Sequence, residues 1–166
     1  EAPAIEPDHQ TAENNASVNE MTPELNATVS KGLAWLAAQQ GEDGSFGGSR
    51  YPKHVGITGL ACLAFMSDGN LPGRGEYGEN VQRGLEFIMN CINETGFIAG
   101  ESTSHGPMYG HGFATLFLGE VYGMTKGGAD TALSKRLHDA LTRSCRLIEL
   151  SQNDEGGWRY NPVPMD

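Results

Sequence analysis

Apolar residues recur with a helical period in three stretches of the chain. Within each stretch they fall three or four positions apart, which is the spacing of one face of an α-helix. Thr22 followed by Pro23 adds an N-cap and a proline at the first helical position of the first stretch. The pattern predicts three amphipathic helices with these apolar faces: Leu25, Val29, Gly32, Leu33 and Leu36; Val81, Leu85, Ile88, Met89 and Ile92; and Leu133, Leu137, Leu141, Cys145 and Ile148.

The three helices belong to a repeat. The segments "VSKGLAWLAAQQGEDGSFGG" (29–48), "VQRGLEFIMNCINETGFIAG" (81–100) and "LTRSCRLIELSQNDEGGWRY" (141–160) align without a gap. Each helix runs into a glycine-rich turn, where glycine permits positive φ. A bulky residue follows the glycine by two places: Phe46, Ile98 or Trp158. We expect each bulky side chain to fold back over the helix end in a packing role, and the ring of Trp158 to be buried.

Two other segments, residues 54–66 and 108–123, are apolar on nearly every side and interrupted by Gly and Ala. A helix that is apolar all round is expected to be buried all round, and small residues allow close packing. Outer amphipathic helices therefore alternate with inner apolar helices, and the last outer helix is predicted over residues 129–151. This alternation predicts an all-α fold, a partial α/α toroid (an incomplete α6/α6 barrel) of helical hairpins joined by Gly-rich aromatic turns.

Composition and net charge argue against some classes of binding partner. The 166 residues carry 11 Lys and Arg against 21 Asp and Glu, a net charge of −10. Nucleic acids and anionic membranes attract basic surfaces, so neither is expected as a partner, and no apolar run is long enough to span a membrane. Residues 1–21 are acidic and lack periodicity, which predicts a flexible leader before a repeat domain at 22–166. Such a leader is compatible with export to the periplasm or the cell exterior; a cytoplasmic location is the alternative.

The three cysteines, Cys62, Cys91 and Cys145, have no metal-binding spacing. Cys62 and Cys145 lie within apolar helical patterns, so we expect buried thiols that act as small hydrophobic side chains. The sequence predicts neither a metal nor a cofactor.

The turns "QQGEDGSF" and "SQNDEGGW", together with the alternating helices, resemble the terpenoid cyclase and protein prenyltransferase α/α toroid family. The resemblance covers residues 22–166 and implies the N-terminal part of a polyprenoid-processing enzyme, with an isoprenoid or other apolar ligand and aromatic faces that stabilise cations. Squalene–hopene cyclases of this family use an Asp-x-Asp-Asp motif as proton donor, which makes Asp166 a candidate for its first residue. The Asp, Cys and His ligands of a prenyltransferase zinc site cannot be assigned. If the chain is a cyclase of this type, the catalytic acid would have to come from beyond residue 166, so the chain alone is expected to be inactive.

In a toroid the inner helices point their N-termini into one mouth, which would gather a set of polar side chains: His54, Thr58, His105, Tyr109 and His111. Helix N-termini carry partial positive charge, so these residues are candidates for binding an anionic or polar ligand. A histidine metal site is an alternative, although His105 and His111 do not form an i, i+4 pair. Capping of helices or bonding to loop carbonyls is the interpretation favoured for the histidines.

Three classes of function compete. The first is the cyclase or prenyltransferase type. The second is a non-catalytic toroid module that binds a protein, a lipid or a polysaccharide. The third, a carbohydrate-active toroid, requires paired carboxylates in the mouth, and the inner helices offer only Glu120. Open repeat edges also predict a homo-oligomer.

Overall fold

The computed structural model describes residues 21–102, 106–125 and 131–163. All regular elements in these ranges are helices, which confirms the all-α prediction: α1 (Pro23–Ala38), α2 (Val55–Ser67), α3 (Gly78–Asn90), α4 (Pro107–Thr125) and α5 (Thr131–Leu150). The hydroxyl of Thr22 accepts the N–H of Leu25 at 3.2 Å, which confirms the predicted cap. None of the described helices is long and apolar enough to cross a membrane.

The chain divides into two compact units, Glu1–Trp35 and Leu36–Asp166, with the boundary inside α1. In the first unit, α1 leaves Leu25 and Val29 exposed and buries Leu33. The leader predicted for residues 1–21 lies outside the described residues except for its last position. The leader and the domain boundary at residue 22 therefore stay predictions.

In the second unit the inner helices α2 and α4 pack against each other, α3 packs against α2, and α5 packs against α4. Small residues allow the two inner helices to approach each other closely. A Cβ added to Gly56 would lie 3.0 Å from the Cα of Gly110, and one added to Gly59 would lie 3.1 Å from the carbonyl oxygen of Phe113. This confirms the predicted role of the small residues. Closure into a toroid stays a prediction.

Three turns follow the outer helices: the first turn (residues 41–45), the second turn (93–97) and the third turn (153–157). Each turn closes with the same backbone hydrogen bond at the equivalent position. Gly44, Gly96 and Gly156 have φ values of 83°, 88° and 82°. Each of these glycines donates to the carbonyl three residues earlier, at 3.0, 3.0 and 2.9 Å respectively. The alignment made from the sequence is therefore also an alignment of backbone conformation.

The bulky residues after these turns do not share one environment. Phe46 and Ile98 are buried, with 3% and 0% of their surface exposed, which agrees with the predicted packing role. Trp158 is 49% exposed, so the prediction that its ring is buried is wrong. An inner helix follows each of the first two turns and covers its bulky residue, whereas no helix follows the third turn within the described residues. The indole N–H of Trp158 instead donates to the carbonyl of Ile148 at 2.7 Å.

The prediction that the inner helices are buried on every side is also wrong. Ile57 and Leu60 of α2 are 36% and 45% exposed, and Tyr109, Phe113 and Leu116 of α4 are 61%, 42% and 51% exposed. These residues recur at helical spacing, so each inner helix presents one apolar stripe to solvent. The outer helices and the neighbouring inner helix cover the other sides.

The cysteines differ from the expectation in one case. Cys62 is buried, and burial raises the pKa of its thiol to about 12. Cys145 is exposed on α5, so the prediction that its thiol is buried is wrong. Its alignment with Leu33 and Leu85 predicted an apolar environment, but α5 borders no later outer helix in the described part of the chain. Cys91 lies between these extremes, and all three thiols are free.

Candidate functional site

Two of the predicted site residues occupy equivalent places and hold the turns. The side chain of Thr58, on α2, accepts the N–H of Phe46 at 2.8 Å. His111, on α4, uses its Nδ1 to accept the N–H of Ile98 at 3.2 Å. Both side chains are fully buried. Each therefore fixes the backbone of the preceding turn to an inner helix, and neither faces solvent.

The bonds of His111 define its protonation state. Because Nδ1 accepts from Ile98, the neutral ring carries its proton on Nε2, which faces the carbonyl of Ser144 at 3.3 Å. Burial lowers the pKa of His111, while the bond to Ser144 opposes that shift. Ser144 in turn donates from its hydroxyl to the carbonyl of Gly96 at 2.8 Å. The imidazole thus joins the second turn, α4 and α5 as a neutral structural group.

His54 caps α2. Its Nδ1 accepts the N–H groups of Gly56 and Ile57 at 3.1 and 3.3 Å, the capping interpretation favoured from the sequence. Partial burial lowers its pKa. No hydrogen bond joins His54 to His111 in the described residues, which also contain no cluster of three or more His, Cys, Asp or Glu residues suited to a metal ion. His105 and Asp166 lie outside the described residues.

Tyr109 is the predicted site residue that faces open space. It lines a cleft of about 330 Å³ together with residues from the start of α4, the end of α5 and the segment after the third turn: Met108, Gly112, Ile148, Trp158, Arg159 and Tyr160. This aromatic cleft forms because the segment after the third turn returns to α4. The N–H of Met108 donates to the carbonyl of Tyr160 at 3.1 Å, and the rings of Tyr109 and Tyr160 lie 5.8 Å apart.

The aromatic cleft adjoins the apolar stripe of α4. Tyr109 and Gly112 line the cleft, and the exposed Phe113 and Leu116 continue along the same helix. Glu120 is exposed one turn further on, away from the cleft. Among the described residues no carboxylate lines the cleft, which offers aromatic faces and one guanidinium, that of Arg159.

Sequence reasoning missed most of the cleft. It treated Trp158 as a packing residue and gave no role to Arg159 or Tyr160. The available signal was local: Trp158, Arg159 and Tyr160 place two aromatic rings and a guanidinium side by side directly after the third turn.

Comparisons with known proteins do not assign the chain to a family. No protein-family model matches it, and neither the curated proteins nor the solved structures provide a match.

Proposed function

We propose that this chain is a toroid-type repeat domain that binds an apolar, polyprenoid-like ligand and does not catalyse a reaction by itself. The observation that carries the proposal is the exposed aromatic cleft of Tyr109, Trp158 and Tyr160, which leads onto the apolar stripe of α4. Contiguous exposed apolar surface is typical of interaction sites and ligand-binding grooves.

The chemistry of the cleft favours a long apolar chain. Each buried CH₂ group contributes about 0.8 kcal/mol, and only part of that sum appears as affinity because the ligand loses freedom on binding. Flat aromatic rings also accommodate the alkenes of an isoprenoid, and their faces attract cationic groups. Arg159 at the rim supplies one positive charge for a polar or anionic end group.

A polyprenoid-processing enzyme is the second candidate, and one observation favours it. The apolar stripes of α2 and α4 have the character expected of a cyclase cavity wall. In that case the catalytic acid comes from outside the described residues. Export from the cytoplasm, suggested by the leader, is likewise a proposal.

Tryptophan fluorescence tests ligand binding. The chain has two tryptophans, so Trp35→Phe leaves Trp158 as the only indole reporter, inside the cleft. Titration with farnesol is expected to shift the Trp158 emission to the blue and to saturate. Farnesyl diphosphate, used in parallel, reports whether Arg159 favours an anionic end group.

The matched variants lie on one helix. Gly112 lines the cleft and Gly123 does not, and an added Cβ meets no described atom within 4 Å at either position. Gly112→Leu is therefore expected to fill the cleft and weaken farnesol binding by about tenfold or more, while Gly123→Leu preserves it. Equal affinity in both variants, or no spectral change in the parent, would contradict the proposal.

A further inference from the structure

The first turn is covered by the outer helix that follows it. Arg83 of α3 donates to the side-chain oxygen of Gln40 at 2.6 Å. Gly44 packs on the backbone of Arg83, so closely that a Cβ at Gly44 would collide with that backbone. The next residue, Gly84, lies against the thiol of Cys62 with no room for a Cβ. A basic residue followed by a small one, Arg83 and Gly84, therefore makes the contact of α3 with the first turn.

The second turn is covered in the same way by α5. Arg143 donates to the carbonyls of Asn93 and Glu94 at 2.8 and 3.2 Å. Gly96 packs on the backbone of Arg143, and the hydroxyl of Ser144 donates to the carbonyl of Gly96 at 2.8 Å. The repeat therefore uses one docking rule twice: a glycine turn receives a basic residue and a small residue from an outer helix.

The third turn has the same receiving surface, and none of the described helices packs on it. This third-turn socket consists of residues 152–156. Gln152 repeats the position of Gln40 and donates to the carbonyl of Gly156 at 2.8 Å, as Gln40 donates to that of Gly44 at 2.9 Å. A Cβ added to Gly156 would meet only the amide of Gln152, at 3.8 Å, among the described residues.

The helix α1 carries the complementary surface. Lys31 and Gly32 align with the basic and small residues of the two docked helices. Gly32 is exposed, and nothing described lies within 4 Å of a Cβ added there. Val29 is 38% exposed, whereas Val81, its counterpart on the docked helix α3, is 0% exposed. We call the exposed surface of Leu25, Val29, Lys31 and Gly32 the α1 face.

We infer that a second copy of this chain docks its α1 face into the third-turn socket. Lys31 of the incoming copy would reach the side-chain oxygen of Gln152 and the backbone carbonyls after it, as Arg83 and Arg143 do within one chain. Gly32 would allow the close approach that a larger side chain prevents. The exposed carboxylates of Asp154 and Glu155 within the socket complement the lysine charge.

The contact is heterologous, because it joins two different surfaces of the chain. Such contacts either close into a ring or continue into longer assemblies. This inference goes beyond ligand binding and does not depend on it, since the residues of the socket do not line the aromatic cleft.

Sedimentation velocity over a range of concentrations provides the first test. The parent chain is expected to show concentration-dependent association. Gly32→Leu has room in a single chain and replaces a helix-interior glycine with a better helix former, so it should melt no lower than the parent. It is expected to weaken association by about tenfold or more. Gly123→Leu, at an equally open glycine on α4, should associate like the parent.

Mixing distinguishes head-to-tail docking from a symmetric dimer. Gly32→Leu keeps its third-turn socket, and a chain with Asp154→Lys and Glu155→Lys keeps its α1 face. Each should be largely monomeric alone, and the two together should form a one-to-one complex that grows no further.

Any of these results would overturn the inference: a parent chain that is monomeric at every concentration, a Gly32→Leu chain that associates like the parent, or no complex on mixing. Loss of association in Gly123→Leu would overturn it too, by placing the contact on the inner helices. Farnesol titration of the same variants separates the two proposals, because Gly32→Leu should retain ligand binding and Gly112→Leu should retain association.

Discussion

The first and third turns have the same backbone and opposite surroundings. In the first, Gly44 lies beneath α3, and Phe46 is buried under α2 with its ring 6.2 Å from that of Phe65. In the third, Gly156 lies open and Trp158 is 49% exposed. The comparison shows that the turn conformation is a local property of the sequence, whereas burial of the turn depends on the helices that follow it.

The largest expected difference concerns the bulky residues. Phe46→Ala should reduce the free energy of unfolding by about 3–5 kcal/mol, because it empties a filled position in the core. Trp158→Ala should reduce it by only about 1 kcal/mol, since half of the ring is already in water and one hydrogen bond is lost. Urea unfolding of both variants measures the difference. Similar losses would mean that the third turn is covered in solution.

The glycines of the second and third turns sharpen the comparison. Gly96→Ala combines positive φ with a collision against the backbone of Arg143, and should cost about 3 kcal/mol or more. Gly156→Ala has the same φ problem without the collision, and should cost about 1–2 kcal/mol. Thermal unfolding monitored by circular dichroism compares the two, and equal costs would remove the packing argument.

The glutamines of the first and third turns should differ less. Gln40 bonds to Gly44, Asn80 and Arg83, so Gln40→Ala is expected to cost about 2 kcal/mol. Gln152→Ala loses its bond to Gly156 and should cost about 0.5 kcal/mol. The measurement is again urea unfolding, made at a concentration where the chain is monomeric. A larger cost at Gln152 than at Gln40 would contradict the comparison.

The smallest expected effect is the pH dependence of stability that the buried imidazole of His111 produces. Burial lowers the pKa of His111 below the 6.5 typical of an unfolded histidine. The unfolded chain then takes up a proton that the folded chain resists, so stability decreases as the pH falls below about 6.5. His54, whose pKa is also lowered, acts in the same direction. The melting temperature should be lower at about pH 5.5 than at about pH 7.5.

His111→Thr is the matched control for that effect, because Thr58 fills the equivalent position and accepts the equivalent bond. The variant should show a smaller difference between the two melting temperatures than the parent does. An unchanged difference would assign the pH dependence to other groups.

Much of the fold could be predicted because its signals are local. Helical spacing located the helices, and the Thr22-Pro23 pair located the start of α1. The glycine spacing located three turns that share one hydrogen-bond pattern. The errors at Trp158 and Cys145 have one source: both residues align with buried positions, but burial requires a neighbouring element that the alignment of a repeat with itself cannot supply.

The candidate site was less predictable than the fold. Thr58 and His111 were selected for their polarity near helix starts, yet a polar side chain in that position can serve the backbone as well as a ligand. Tyr109 was selected for the same reason and lies at the cleft. Arg159 and Tyr160 reach it only because the chain after the third turn returns to α4, a long-range contact with no sequence signature.

The sequence by itself determined the helices, the turn conformations and the pairing of basic and small residues, because these depend on residues within a few positions of one another. The tertiary structure decided which equivalent positions are buried. It also decided that, among the described residues, the inner helices keep an open apolar stripe and no helix covers the third turn. Exposure is a relation between distant segments, and equivalent local patterns meet different neighbours within the described part of the chain.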